Sequence, residues 1–340
     1  MRDHAIDERA LGNRMDRQMQ GTTAGLSTRD LAVRIVRQQR EAVKRELHRA
    51  LLAYKEPTPG SGRARDLQWI ADEDSPQKKL LAGVFDSALY GVTELLRVAE
   101  EHSIALEILL GNDANLLPIP MMSLVRSIQE ALLEVCWAVD PVLAPELRLA
   151  RCAAMFLSTV QGNAGPLSQL PNGSAKLQEV IEATNGAHDL FSNLGFTLQY
   201  DKTNTFVTSV SYKGSRKAAL KVNITDATSR YMRGSEHLWT IGSGATHSRN
   251  WFTKGLEGPG DLIYIMVTTP LLDFTDAVID STHGYVGLPV ADFHAKAHFR
   301  RVALLRRNPT QDPALAQGDY AHYAASRGLG AAGTEDSPST

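Results

Sequence analysis

The chain has 340 residues, 43% hydrophobic and 22% charged, which excludes a wholly disordered or fibrous polymer. A formal net charge of −2 excludes a globally basic nucleic-acid surface but leaves room for local patches. Two cysteines, Cys136 and Cys152, make no disulfide framework, and 6% aromatics favour helices over a β-sandwich.

Residues 1–26 are polar and read as a loose arm. They lack the apolar core of a secretory signal. Ser27 opens a helix to about Glu56, whose segment from Arg29 to Lys55 holds eight Lys/Arg against three Asp/Glu. This reads as a solvated charged helix or a docking helix for an acidic partner. PTPGSG at 57–62 is a Pro/Gly linker. From about Pro76 to Leu110, Leu81, Phe85, Ala88, Val92, Leu95 and Ala99 form one apolar stripe. Helices follow at about 121–139, ended by Asp140-Pro141, and at 145–161. A loop at 162–174 precedes two shorter helices near 175–194. Alternating Thr, Val, Phe and Tyr then predict short strands at about 196–200, 206–212 and 219–224. Thr225 or Asp226 caps a helix over 226–241, and GSGATHSRN at 242–250 reads as a loop. The next helix, about 260–281, holds Pro270 as a kink. Its apolar stretch, Leu262–Ile279, is interrupted by Pro270, Asp273 and Asp276 and falls short of the roughly 20 apolar residues of a membrane span. A last helix covers 290–307.

The expected fold is mostly α, a multi-helix bundle with a small β-hairpin insertion. Three regions are expected: 1–62 as polar arm, charged helix and linker; 63–307 as the helical-bundle domain; and 308–340 as a disordered tail. The reading implies a cytoplasmic protein with reduced thiols, where the sequons at Asn172 and Asn223 carry no meaning.

Several polar positions are candidates for chemistry. On the 121–139 helix, Arg126, Glu130, Glu134 and Trp137 share a face opposite the apolar stripe. Arg126 and Glu130 are an i,i+4 pair expected to be mostly buried against another helix, because Trp137 shares their side, either as a polar seam between helices or as a ligand contact. Arg148 and Arg151, one turn apart, suit a carboxylate or phosphate, or neutralise Glu130 and Glu134. Within 226–241, Arg230 and His237 are seven residues apart and share one helical face, with Tyr231 and Ser235 on the neighbouring stripe. His247 lies in a Gly-rich stretch that matches no phosphate loop. His294 and His298 have a metal-compatible i,i+4 spacing but no marked third ligand, so neither metal nor cofactor is expected. Cys136 and Cys152 read as buried small hydrophobes.

The run Arg230-Tyr-Met-Arg-Gly-Ser-Glu-His237 resembles the motif of the HEPN superfamily, an Arg and a His separated by four to six residues. The RSIQE run at 126–130 is similar to uncharacterised bacterial helical proteins with an Arg-x-x-x-Glu pair. The HEPN resemblance implies a helical bundle, often a metal-independent ribonuclease, with Arg230 on the phosphate, His237 as acid or base, and a second subunit completing the cleft. Two functions therefore stay open: a binding or scaffold protein whose Arg/Glu/His seam holds an acidic or phosphate ligand, and a HEPN-like ribonuclease. The partners to consider are a second copy of the chain and RNA or a small phosphate. No membrane is expected.

Overall fold

The computed structural model describes residues 25–73, 76–112, 115–162, 167, 174–203, 206–247 and 261–307. Most of the expected arm and of the loop after Gly162, and all of the tail from 308, lie outside the described residues. Within them the chain is a helical bundle carrying a small antiparallel sheet, as its composition and spacing predict. The helices are α1 (Thr28–Ala53), α2 (Gly62–Asp72), α3 (Lys78–Leu110), α4 (Pro118–Ala138), α5 (Pro145–Gly162), α6 (Ser174–Asn193), α7 (Ile224–Tyr231), α8 (Glu236–Thr246), α9 (Asp261–Val286) and α10 (Ala291–Leu305). The strands are β1 (Phe196–Tyr200), β2 (Val207–Tyr212) and β3 (Ala218–Ala219).

Ser27 caps α1 as expected, its hydroxyl accepting from the Asp30 amide at 3.1 Å. The helix is not solvated all round. Leu31, Ala32, Ile35 and Val36 are buried, and α1 lies along α9, α3 and α10. Its charge run is the outer face of an amphipathic helix. The linker ends at Ser61, which caps the unforeseen α2 by accepting from the Ala64 amide at 3.2 Å. Proline 118 begins α4, suiting a first turn where the amide has no helical partner. A single α6 replaces the two helices expected near 175–194.

The sheet has the order β1-β2-β3, with Phe196 opposite Tyr212 and Val210 opposite Ala218. It packs on α5 and α6, where Phe196, Val207, Val210 and Tyr212 join Leu149, Ala153, Leu157 and Phe191 in one core. Of the expected third strand only Ala219 pairs, together with Ala218 just before it. The chain then turns to Asn223, which caps α7 in place of Thr225 or Asp226 by accepting from both of their amides.

The expected 226–241 helix is broken in two. Gly234 takes φ +87°, a left-handed conformation that glycine adopts without a side-chain clash, so α7 stops and α8 starts anew. Helix α8 then absorbs Gly242 to Thr246, half of the expected loop.

Helix α9 runs through Pro270 without a break and is long and apolar enough to cross a membrane. However, 72% of its apolar window is buried by the protein's own helices. It is the central helix of the larger core, formed with α3 and α4 around Leu106, Ile128, Leu132, Phe274 and Val278.

Candidate functional site

The candidate residues fall into three groups. The first centres on Asp140, 2% exposed, at the end of α4. Arg230 donates to its carboxylate at 2.5 Å and the Tyr231 hydroxyl donates at 2.7 Å. Arg151 stands 3.7 Å away, donates to the Trp137 carbonyl and the Tyr231 hydroxyl, and lies over the Trp137 ring. Burial pushes the Tyr231 hydroxyl's pKa up, so it stays a donor. Arg148 is fully buried. It reaches both Asp66 oxygens, at 2.9 and 3.1 Å, and the carbonyls of Asp140 and Leu143. The Tyr285 hydroxyl also donates to Asp66. Burial raises the Asp66 carboxyl's pKa against the opposing pull of Arg148. Sequence spacing pointed Arg148 and Arg151 at Glu130 and Glu134. They meet Asp66 and Asp140 instead, because α2 and the end of α4 lie closer to them than the middle of α4. Asp140 had read only as a helix stop, and Asp66 lies on the unforeseen α2.

The second group is the seam between α4 and α8. The Arg126 Nε–H donates to Glu130 at 2.8 Å, and the Trp239 indole N–H donates to the same carboxylate at 3.1 Å. The Arg126 guanidinium stands 5.1 Å over the Trp239 ring. Gly242 makes this possible, since a Cβ there would sit 2.8 Å from the Arg126 Cβ. The Arg126 Nη1 is buried and has no hydrogen-bond partner among the described residues. Burial, then the nearby Glu130 charge, raises the Glu134 carboxyl's pKa. The pair faces another helix, as its spacing suggests, but Glu130 keeps 37% of its side chain exposed. Glu130→Ala is therefore expected to cost about 1 kcal/mol, well below the 3–5 kcal/mol typical of breaking a fully buried pair. Urea denaturation checks this, and a loss above about 3 kcal/mol rejects it.

Arg230 and His237 do not share a helix, so their two-turn spacing is lost. Arg230 lies in the last turn of α7 and is tied to Asp140, while His237 is exposed in the first turn of α8. Ser235 is buried at the head of α8 without a side-chain cap bond. His247 is exposed at the C-cap of that helix, not in a loop.

Among the described residues, no group of three or more His, Cys, Asp or Glu is placed to hold a metal. His294 turns to Asp280, at 2.5 Å, and Asp276 on α9. Both cysteines are buried, and burial pushes the Cys152 thiol's pKa up to about 12, so it is not a nucleophile at neutral pH.

The third group was not legible in the sequence. A cavity of about 290 Å³ lies between α1 and α3, floored by α4 and α9. Val43, Leu47 and Leu51 of α1 face Leu89, Val92 and Leu96 of α3 across it, above Ile128, Leu132, Leu271 and Val286. The polar side chains deep in the wall are already satisfied within the protein. Gln39 donates to the Thr275 hydroxyl at 2.7 Å and accepts from Arg300 at 2.7 Å. Ser103, Thr275 and Thr282 each donate to a carbonyl of their own helix. The wall thus offers an occupant chiefly dispersion and desolvation, and a polar group placed there would lose its water without gaining a partner. Basic and acidic side chains line it too: Arg40, Lys44, His48, Arg97 and Glu100.

The chain matches no family model, no curated protein and no solved structure.

Proposed function

We propose that this chain is a binding protein for an apolar small molecule, and that the cavity between α1 and α3 is its site. One observation supports this above the others: an apolar cavity of about 290 Å³ whose deep polar groups are already paired. That volume sits at the lower edge of the roughly 300–1,000 Å³ of small-molecule sites. The arginines first considered for phosphate are neutralised by carboxylates: Arg148 by Asp66, Arg230 by Asp140, Arg126 by Glu130. A phosphate at Arg230 would have to displace Asp140. The binding reading therefore moves the ligand from the polar seam to the cavity and leaves the seam as the bond between α4 and its neighbours.

The test uses the neutral fluorescent probe N-phenyl-1-naphthylamine on the full chain. Saturable binding of about one equivalent is expected, with affinity lowered at least tenfold in Leu96→Trp and in Val43→Phe, which fill the space from opposite walls. Circular dichroism identifies any variant that has not folded. Unsaturable binding, or binding indifferent to both folded variants, rejects the reading. Single-stranded RNA incubated with the protein and EDTA is expected to stay intact. Cleavage lost in His237→Ala would establish the HEPN-like ribonuclease in its place.

A further inference from the structure

The rim of the cavity narrows the class of ligand. Resting on the binding reading above, we infer that the ligand is a single-chain amphiphile with an anionic head, its chain in the cavity and its head beside Lys44 and His48.

Arg97 at the rim is held by Glu94 and Glu101, at 3.0 and 2.5 Å, and Arg40 by Glu107 at 2.5 Å, so neither is open to a ligand. Lys44 and His48 are one helical turn apart on α1, and both line the opening. Lys44 reaches across the opening to Glu100 at 3.0 Å, with side chains 64% and 36% exposed. A pair this wet contributes little and is cheap to exchange. A ligand carboxylate beside Lys44 would take over the role that Glu100 now plays. The walls below the rim need no polar partner, so the rest of the molecule must be hydrocarbon. A methylene occupies about the volume of a water molecule in the liquid, roughly 30 Å³, so the cavity takes a chain of about ten carbons. The α1–α3 edge closes on one side through Arg37 and Arg40, both on Glu107 at 2.7 and 2.5 Å. Leu51, 45% exposed, lies toward the other end of α1, three turns beyond Arg40, and the chain end enters there.

The experiment displaces N-phenyl-1-naphthylamine from the full protein with decanoate and, separately, with decanol. In wild type, decanoate is expected to displace at about fivefold lower concentration, the upper end for a half-exposed ion pair. Lys44→Gln should erase that preference while leaving decanol unchanged. Glu100→Gln should widen it, because the competing carboxylate is gone. A merely structural Lys44–Glu100 bridge would move both ligands together and in one direction. Equal displacement by both ligands in wild type, or a preference that neither substitution moves, overturns the anionic head while leaving the cavity occupied. Probe binding that neither ligand displaces overturns the amphiphile itself. Absence of probe binding removes the underlying reading.

Discussion

Asp66→Ala is expected to destabilise the fold by about 3–5 kcal/mol, because it strands the Arg148 guanidinium in the interior without its counter-charge. Both partners are buried, with side chains 1% and 0% exposed. Water cannot replace the lost carboxylate without opening the contact between α2 and α5, and the Tyr285 hydroxyl loses its acceptor as well. Arg148→Met should cost a similar amount by leaving Asp66 alone. The double variant Asp66→Ala with Arg148→Met should lose much less than the sum, since it leaves neither charge behind and the two sites share one contact. Urea denaturation of the four proteins reads these differences. A loss below about 1 kcal/mol in Asp66→Ala, or strictly additive losses, would show that the pair does not hold α2 to α5.

Arg148 also illustrates what a sequence withholds. Its position on the 145–161 helix was legible, and so was the attraction of an arginine to a carboxylate. Which carboxylate it meets depends on α2, an 11-residue helix too short and too charged to show an apolar stripe. The long helices were legible because each buries one face at spacings of three and four, as Leu81, Val84, Phe85, Ala88 and Val92 do on α3. The sheet was legible from β-branched and aromatic alternation. The break at Gly234 was not, because an apolar pattern runs across it and one glycine in a helical run reads equally well as tolerated. That single torsion separates Arg230 from His237 and removes the geometry on which their pairing depended. The cavity was illegible for a different reason. Its walls come from residues 39–54, 89–103, 128–139 and 271–286. Each segment shows only the apolar stripe of a core helix. The space appears where α1 and α3 lean apart over α4 and α9, and no stretch of sequence encodes that distance.

The second large effect is a loss of stability between pH 6.5 and 9, centred on His294. Its imidazole is 4% exposed, 2.5 Å from Asp280 and 3.7 Å from Asp276, and Asp276 also receives Arg301 at 3.0 Å. Burial opposes the charged form, but the two carboxylates outweigh it and hold the pKa at about 9. In the unfolded chain a histidine titrates near 6.5. The folded state therefore binds the proton more tightly. Below about pH 6.5 both states are protonated and the full stabilisation is present. As pH rises toward 9 the unfolded chain releases its proton first, and the stabilisation drains away until the folded imidazole also titrates. The difference of about 2.5 pH units sets an upper bound near 3 kcal/mol. At roughly 2–4 °C per kcal/mol for a domain of this size, the thermal midpoint should fall by up to about 10 °C across that window. His294→Gln keeps the packing volume and a donor toward Asp280 but cannot titrate. It should begin lower at pH 6 and stay nearly flat to pH 9, so the two curves converge at the alkaline end. Parallel curves would place the pH dependence elsewhere and show that the α9–α10 contact does not rest on a charged His294.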